Sequence, residues 1–273
     1  MSNQGAIQNA EKTRAVAASN GGKKTMKDFI LQMEPEIKKA LPSVMTSERF
    51  TRIILSCLST TPKLAETTPQ SFLGAMMTAA QLGLEPNTPL GHSFLVPRWN
   101  GKTKALECVF QFGYKGILDL AYRSGEIKVI QAHVVYENDE FYYSYGFNPD
   151  LRHIPARKDR GNPTDVYAVF HTMNGGCGFG VMSIEDVKKH AEIHCPSYMS
   201  GAWQTNFKEM AKKTILTRVL KYAPLKAEFA RSLSSDETVK TSISDDMFSV
   251  QSEYVEINGE NYAVDADTGE INS

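Results

Sequence analysis

Bases and aromatic rings recur together in three segments of this chain, two of them with glycines, and the chemistry those residue types share is the holding of phosphate groups. Gly113-Tyr114-Lys115-Gly116 stands where an alternating segment gives way to a helical one. Backbone N–H groups at a helix start donate to anionic oxygens, while Lys115 adds charge and Tyr114 a stacking face. Arg123 lies close to two turns beyond Lys115, so Lys115, Asp119 and Arg123 make a base-acid-base ladder on one helix face. The same glycines would also let that helix lie tightly on a sheet, and spacing alone does not choose between the two. In the second segment Lys208, Lys212, Lys213, Arg218 and Lys221 lie on a helix opened by Trp203 and Phe207. Lys208 and Lys212 point the same way. Such bases neutralise phosphates, and a solvated helix face is the rival reading. The third segment is a hairpin tip after Arg98, carrying Trp99, Lys102 and Lys104.

Other chemistries fail on order or context. Gly101-Lys102-Thr103 ends like a nucleotide-binding phosphate loop, but Val96 stands where that loop needs its first glycine, and the triplet lies in a hairpin turn. His190 and His194 share a helix face, yet Glu192 points away from it and Pro196 follows Cys195 at once. A packed or surface histidine pair is expected there rather than a zinc site. The chain has no G-x-S-x-G nucleophile turn, and Asp119 and Glu126 read as ordinary helix-surface acids rather than a nuclease carboxylate cluster. Cys57, Cys108, Cys177 and Cys195 form no C-x-x-C pair and are expected to be buried free thiols.

With 273 residues, 41% of them hydrophobic, the chain can bury a sizeable core. It has no apolar run of about 18 residues, and residues 1–24 lack the apolar stretch of a secretory signal, so a cytoplasmic protein is expected. The net charge of −1 hides a split. Residues 232–273 hold ten acids against Lys240 alone, a net of −9, whereas residues 1–231 hold 29 bases and 21 acids, a net of +8. A basic body with an acidic tail suits a protein that handles polyanions, because the tail can compete for the same groove or recruit a partner.

The elements that must position these residues follow from periodicity. Residues 1–24 read as a flexible arm. Met26 to Leu41 is helical, bent or restarted at Pro35; Ser47 caps a second helix with Phe50, Ile53, Ile54, Cys57 and Leu58 inward; Thr68 and Gly83 bound a third. Two strands, His92–Arg98 and Lys104–Phe112, turn at Asn100-Gly101, which supplies positive φ, with Leu106, Cys108, Phe110 and Phe112 on the buried face. A helix over Ile117–Arg123 and strands at Ile127–Tyr136 and Phe141–Tyr145 follow. In these alternating strands Tyr142, Tyr143, Tyr145 and Phe147 are expected to be half core. Residues 146–163 read as a loop or basic flap, 166–170 and 179–182 as a hairpin turning at Asn174-Gly175-Gly176, and Ser183 with Asp186 as a helix start. One long helix is expected from Trp203 to Tyr222, stopped by Pro224.

Five blocks in order resemble the RecT family of phage single-strand annealing proteins: Ala80-Gln81-Leu82-Gly83-Leu84-Glu85-Pro86-Asn87; Leu95-Val96-Pro97; Gln111-Phe112-Gly113-Tyr114-Lys115-Gly116; Ala121-Tyr122-Arg123-Ser124-Gly125; and Trp203 with Met210-Ala211-Lys212-Lys213-Thr214. The resemblance runs from about Met26 to Pro224 and suggests a phage of a Gram-positive bacterium. It implies an α+β fold, a bent antiparallel β-sheet with β-hairpins packed against helices, related to eukaryotic strand-annealing proteins. It divides the chain into a flexible arm (1–24), a DNA-binding and oligomerisation core (25–231) and an acidic partner-binding tail (232–273). The implied activity is ATP-independent: binding single-stranded DNA in a basic groove, pairing complementary strands and holding the annealed duplex in an oligomer, a ring or helical filament. It implies no catalysis and no required cofactor, magnesium being at most an aid to annealing. The implied partners are a phage exonuclease and the host single-strand-binding protein, in the host bacterial cytoplasm and away from any membrane. The expected DNA contacts are Arg98, Trp99, Lys102, Lys104, Gln111, Tyr114, Lys115, Arg123, Trp203, Lys208, Lys212, Lys213, Arg218 and Lys221. A metal-dependent nuclease and an RNA-preferring nucleic-acid chaperone are the rival classes.

Overall fold

The computed structural model describes residues 24–194, 198, 202–224, 236, 238–244, 246–254, 263–264 and 271–272. The expected arm, Cys195 and much of the acidic tail lie outside these described residues. In chain order the elements are α1 (Met26–Gln32), α2 (Glu34–Ala40), α3 (Ser47–Thr60), α4 (Pro69–Leu82), β1 (Ser93–Asn100), β2 (Ala105–Phe112), α5 (Tyr114–Arg123), β3 (Ile127–Tyr136), β4 (Glu140–Ser144), β5 (Asp150–Ile154), β6 (Pro163–Thr172), β7 (Cys177–Ser183), α6 (Ile184–His194), α7 (Ala202–Thr205), α8 (Phe207–Leu220), β8 (Thr238–Lys240) and β9 (Ser252–Tyr254), followed by the short pair β10 (Ala263–Val264) and β11 (Ile271–Asn272). The class is α+β, helices with antiparallel sheet. The chain divides into two units, residues 1–86, 95–110 and 237–258 in the first and residues 87–94, 111–236 and 259–273 in the second.

In the first unit α4 is the hub. Phe72, Leu73, Met76, Met77, Ala79 and Ala80 are buried, and so are Ser71, Gly74 and Thr78 between them, as a helix covered all round requires. Gly83 closes it in the left-handed conformation, φ 61°. Thr68 takes the N-cap position, but its hydroxyl donates to Ser71 Oγ at 2.7 Å instead of capping the backbone. Ser71 Oγ accepts from the Cys108 N–H at 2.9 Å, tying α4 to β2. Pro35 restarts the first helical run as expected, parting α1 from α2 at Met33. The cap of α3 is Thr46, whose Oγ1 accepts from the Arg49 N–H at 3.3 Å; Ser47 is the first helical residue and is buried. Phe50, Ile54 and Cys57 face inward, and burial pushes the Cys57 thiol up to about 12. Cys108 is buried too, but Cys177 is exposed. On β2, Glu107 and Val109 are buried along with Cys108, Phe110 and Phe112, so both faces of that strand are covered, and Leu106 is only half-buried.

Residues expected to begin the tail complete this unit. β8 pairs antiparallel with β9, Thr238 and Lys240 are buried, and Met247 is 0% exposed. The Met247 N–H donates to Gln81 Oε1 at 3.0 Å, and the Gln70 side chain donates to the Thr241 carbonyl. Lys240 Nζ donates to the Val250 carbonyl at 3.2 Å. A single methionine in an acid-rich stretch has no periodic partners, so pattern reading passes over it.

The second unit is built on the sheet β3-β6-β7, with Ala132 opposite Ala168 and Ala168 opposite Gly180. These small residues admit α8: a side chain at Gly180 would meet Val219 Cγ2 at 2.8 Å. The helix expected from Trp203 to Tyr222 is two helices, broken at Asn206, whose φ −131° and ψ 46° are not helical. Gly175 turns β6 into β7 with φ 83°, and Ser183 Oγ accepts from the Asp186 N–H at 3.0 Å to start α6. The expected flap at 146–163 contains a strand: β5 pairs with β4 from Glu140 opposite Ile154 to Ser144 opposite Asp150.

Met247→Ala tests the docking of 238–254 on α4. Emptying a fully buried methionine site should cost about 2–5 kcal/mol, read as a lower urea midpoint; an unchanged midpoint would mean that the segment does not belong to the core.

Candidate nucleic-acid interface

At the β1–β2 tip the strand runs through Asn100, the turn is Gly101 to Lys104, and the positive φ falls on Lys104 (49°) rather than on Asn100-Gly101. The reason is Glu107. This buried carboxylate accepts from Asn100 Nδ2 at 2.7 Å and Thr103 Oγ1 at 3.0 Å, while Asn100 Oδ1 accepts from the Lys102 N–H at 3.0 Å. The tip is thereby fixed with Trp99, Lys102 and Lys104 exposed, and Lys102 Nζ rests 3.0 Å from Glu253 Oε2. Arg98, one residue earlier in β1, is buried.

The glycines of the Gly113–Gly116 turn serve tight packing. A side chain on Gly113 would collide with the Gly91 carbonyl, and one on Gly116 with the His92 carbonyl. The Gly113 N–H already donates to the His92 carbonyl at 3.0 Å, so it serves the fold. Lys115 is exposed beside this junction, Tyr114 and Gln111 are half-buried, and the ladder on α5 closes as an ion pair between Arg123 and Asp119 at 2.6 Å.

The bases of α8 separate by helix face. Lys208 is exposed and its ammonium lies 5.3 Å from the centroid of the Tyr136 ring. Lys212, one turn on, is half-buried and pairs with Glu209 at 2.7 Å. Lys213 points inward, its side chain 9% exposed, to an ion pair with Asp236 at 2.9 Å; the same carboxylate accepts the Phe112 N–H at 2.8 Å. Trp203 is buried against Phe207, ring centroids 5.9 Å apart. Arg218 and Lys221 are exposed, Arg218 lying about 120° round the helix from Lys212. Sequence reading missed what meets Lys208. The Arg160 guanidinium stands 4.1 Å from the same Tyr136 ring, so two cations address one aromatic face system on β3. Burial first, then His153, Lys212 and Arg160, hold the His133 imidazole below its usual pKa, a mark of the positive field there.

Asp139 aims Arg160. Its side chain has no solvent exposure and accepts from Arg160 Nη2 at 2.5 Å and Nε at 2.9 Å, His153 Nε2 at 3.0 Å, and the N–H groups of Ala156 and Tyr136 at 2.9 and 3.0 Å. The Arg160 hydrogen bonds hold the Asp139 carboxyl far below the usual range, against burial and with help from His153 and the two N–H groups. Beside this network the β4–β5 hairpin carries rings that are mostly outside: Tyr142, Tyr143 and Tyr145 are exposed and Phe147 wholly so, with Tyr145 stacked on Phe179 at 5.3 Å. The half-core expectation fails because only Phe141 packs inward, stacked on Tyr167 at 5.6 Å.

Against known proteins, the RecT family profile matches residues 48–250, and the chain is 37% identical over 235 residues to Protein RecT of Escherichia coli K12, covering 85% of this chain and 86% of that one. The chain belongs to the RecT family. It is also 29% identical over 221 residues to Uncharacterized protein YqaK of Bacillus subtilis 168, 78% of this chain and 73% of the relative. RecT membership carries DNA binding, single-strand annealing and recombination. The RecT match extends past residue 231 into the docked β8 segment. Among the described residues no helix is long and apolar enough to cross a membrane.

The depressed carboxyl at Asp139 has a pH signature. Its contribution to stability is complete above the unfolded-state pKa of about 3.9 and drains as pH falls below it. Thermal unfolding from pH 7 down to about pH 2 should show the midpoint falling below about pH 4, and Asp139→Asn should lower it at pH 7 and flatten the acid limb; an identical acid limb in both proteins would refute the role of this network.

Proposed function

We propose that this chain is an ATP-independent single-strand annealing recombinase. In the second unit Lys115, Lys208, Lys212 and Arg160 hold phosphates of an extended strand, while bases remain free to pair, so that sequence choice lies in base pairing; in the first unit Lys102 and Lys104 at the hairpin tip offer phosphate contacts of their own. Arg123 and Lys213 support the fold through Asp119 and Asp236 more than they hold DNA, and Arg98 and Trp203 support it from inside. Trp99 and the rings of Tyr142, Tyr145 and Phe147 offer stacking faces. The observation that carries this reading is the convergence of Arg160 and Lys208 on Tyr136, with Lys212 and His133 beside them, on a chain of the RecT family.

In the finer picture the annealed duplex stays in an oligomer, ring or filament, with α1 to α4 supplying protomer contacts. The fold is kin to eukaryotic strand-annealing proteins, no cofactor is needed beyond magnesium as an aid, and the partners are a phage exonuclease and the host single-strand-binding protein. The setting is the cytoplasm of a Gram-positive host.

Mixing complementary oligonucleotides with the protein, without nucleotide triphosphate, should speed duplex formation, with the effect declining over a salt series. Replacing Lys208 and Lys212 together by Ala should cut annealing several-fold and reduce the slope of log affinity against log salt by about 1–2. Lys115→Glu should weaken strand binding with the fold intact. Normal annealing by these variants would remove the interface assignment. Strand cleavage halted by a chelator would instead mark a nuclease, and preference for matched RNA strands a chaperone.

A further inference from the structure

Lys102 at the β1–β2 tip already holds an anion. Its ammonium sits 3.0 Å from the Glu253 carboxylate of β9, and both side chains remain well exposed, 65% and 57%. The two ends of this pair are held differently from most surface pairs. Lys102 is presented by a turn that Glu107, Asn100 and Thr103 fix through three hydrogen bonds of 2.7–3.0 Å. Glu253 is delivered by a hairpin whose other strand is anchored in the unit's core through Thr238, Lys240 and the fully buried Met247. The carboxylate is therefore placed on the lysine by the fold, yet the pair is open to water, where such contacts are weak and exchangeable. Trp99 and Lys104, exposed on the same tip, would meet any strand that reaches it. Glu253 also opens an acidic run: residues 253–270 contain six carboxylates and no lysine or arginine.

We infer that the hairpin tip is a phosphodiester subsite, occupied in the free protein by the Glu253 carboxylate as a built-in competitor that a nucleic-acid strand displaces. The inference rests on the DNA-binding reading above and deepens it. Exchanging a carboxylate for a phosphate on Lys102 leaves the ammonium paired throughout, so the cost of entry to the subsite is the release of Glu253 into water. That release makes the tip discriminate between a single weakly held phosphate and a strand that also engages Trp99 and Lys104.

The test is anisotropy of a labelled oligothymidylate titrated with the full chain carrying Glu253→Gln, across a salt series. Removing the competitor should tighten binding roughly two- to fivefold at low salt, the range an exposed ion pair supplies, with the curves converging as salt screens the pair. The gain should vanish in a Lys102→Ala background, and Glu66→Gln, an exposed acid elsewhere in the same unit, should not reproduce it. Equal affinity of Glu253→Gln and the parent protein, an equal gain from Glu66→Gln, or a gain that persists without Lys102 would each overturn the inference while leaving DNA binding in place. Failure of the parent protein to bind the strand at any salt would overturn the functional reading and this inference with it.

Discussion

A carboxylate without solvent exposure persists as an anion only where donors surround it, and Asp139 has five such hydrogen bonds from four residues. Those four residues come from separate places along the chain: Tyr136 ends β3, His153 is in β5, and Ala156 and Arg160 follow it. One buried charge thus closes the β4–β5 hairpin onto the sheet and turns a loop of otherwise exposed bases into a positioned guanidinium. The placement of Arg160 over Tyr136, and with it the meeting of that ring with Lys208, depends on this single anion.

The bases of this protein divide by what their neighbours require. Lys213 is taken inward because Asp236 and the Phe112 N–H form a polar knot there, and Arg123 is held by Asp119 along its own helix. Lys208, Lys115, Arg218 and Lys221 remain at the surface. A net charge of +8 over residues 1–231 therefore overstates what a polyanion meets, since Lys213 and Lys102 are paired with Asp236 and Glu253 outside that stretch.

Long periodic stretches are legible in the sequence alone: α4 between Thr68 and Gly83, β3, the restart at Pro35 and the turn at Gly175 all depend on local preference that tertiary contacts reinforce. Where the reading departs from the structure, a non-local partner decides. Asn100 would favour a tight turn by itself, but the Glu107 carboxylate seven residues on claims its side chain. β5 shows only Leu151 and His153 inward, too short an alternation to stand out between Pro149 and Pro155. Lys213 looks no different in sequence from Lys212, and only Asp236 tells them apart. Gly113-Tyr114-Lys115-Gly116 carries both a phosphate-binding and a packing interpretation, and the carbonyls of Gly91 and His92, invisible to spacing, account for its two glycines by packing.

The docking of β8, β9 and Met247 on α4 has a consequence for how the protein is made. The helices of the first unit are synthesised before the residues that close their core, since Met247 follows its partner Gln81 by 166 positions. Most of the second unit, residues 111–236, is synthesised in between. Until Met247 emerges, α4 waits with an open apolar flank, so the nascent chain passes through a stage in which its N-terminal helices are the segment most in need of chaperone cover.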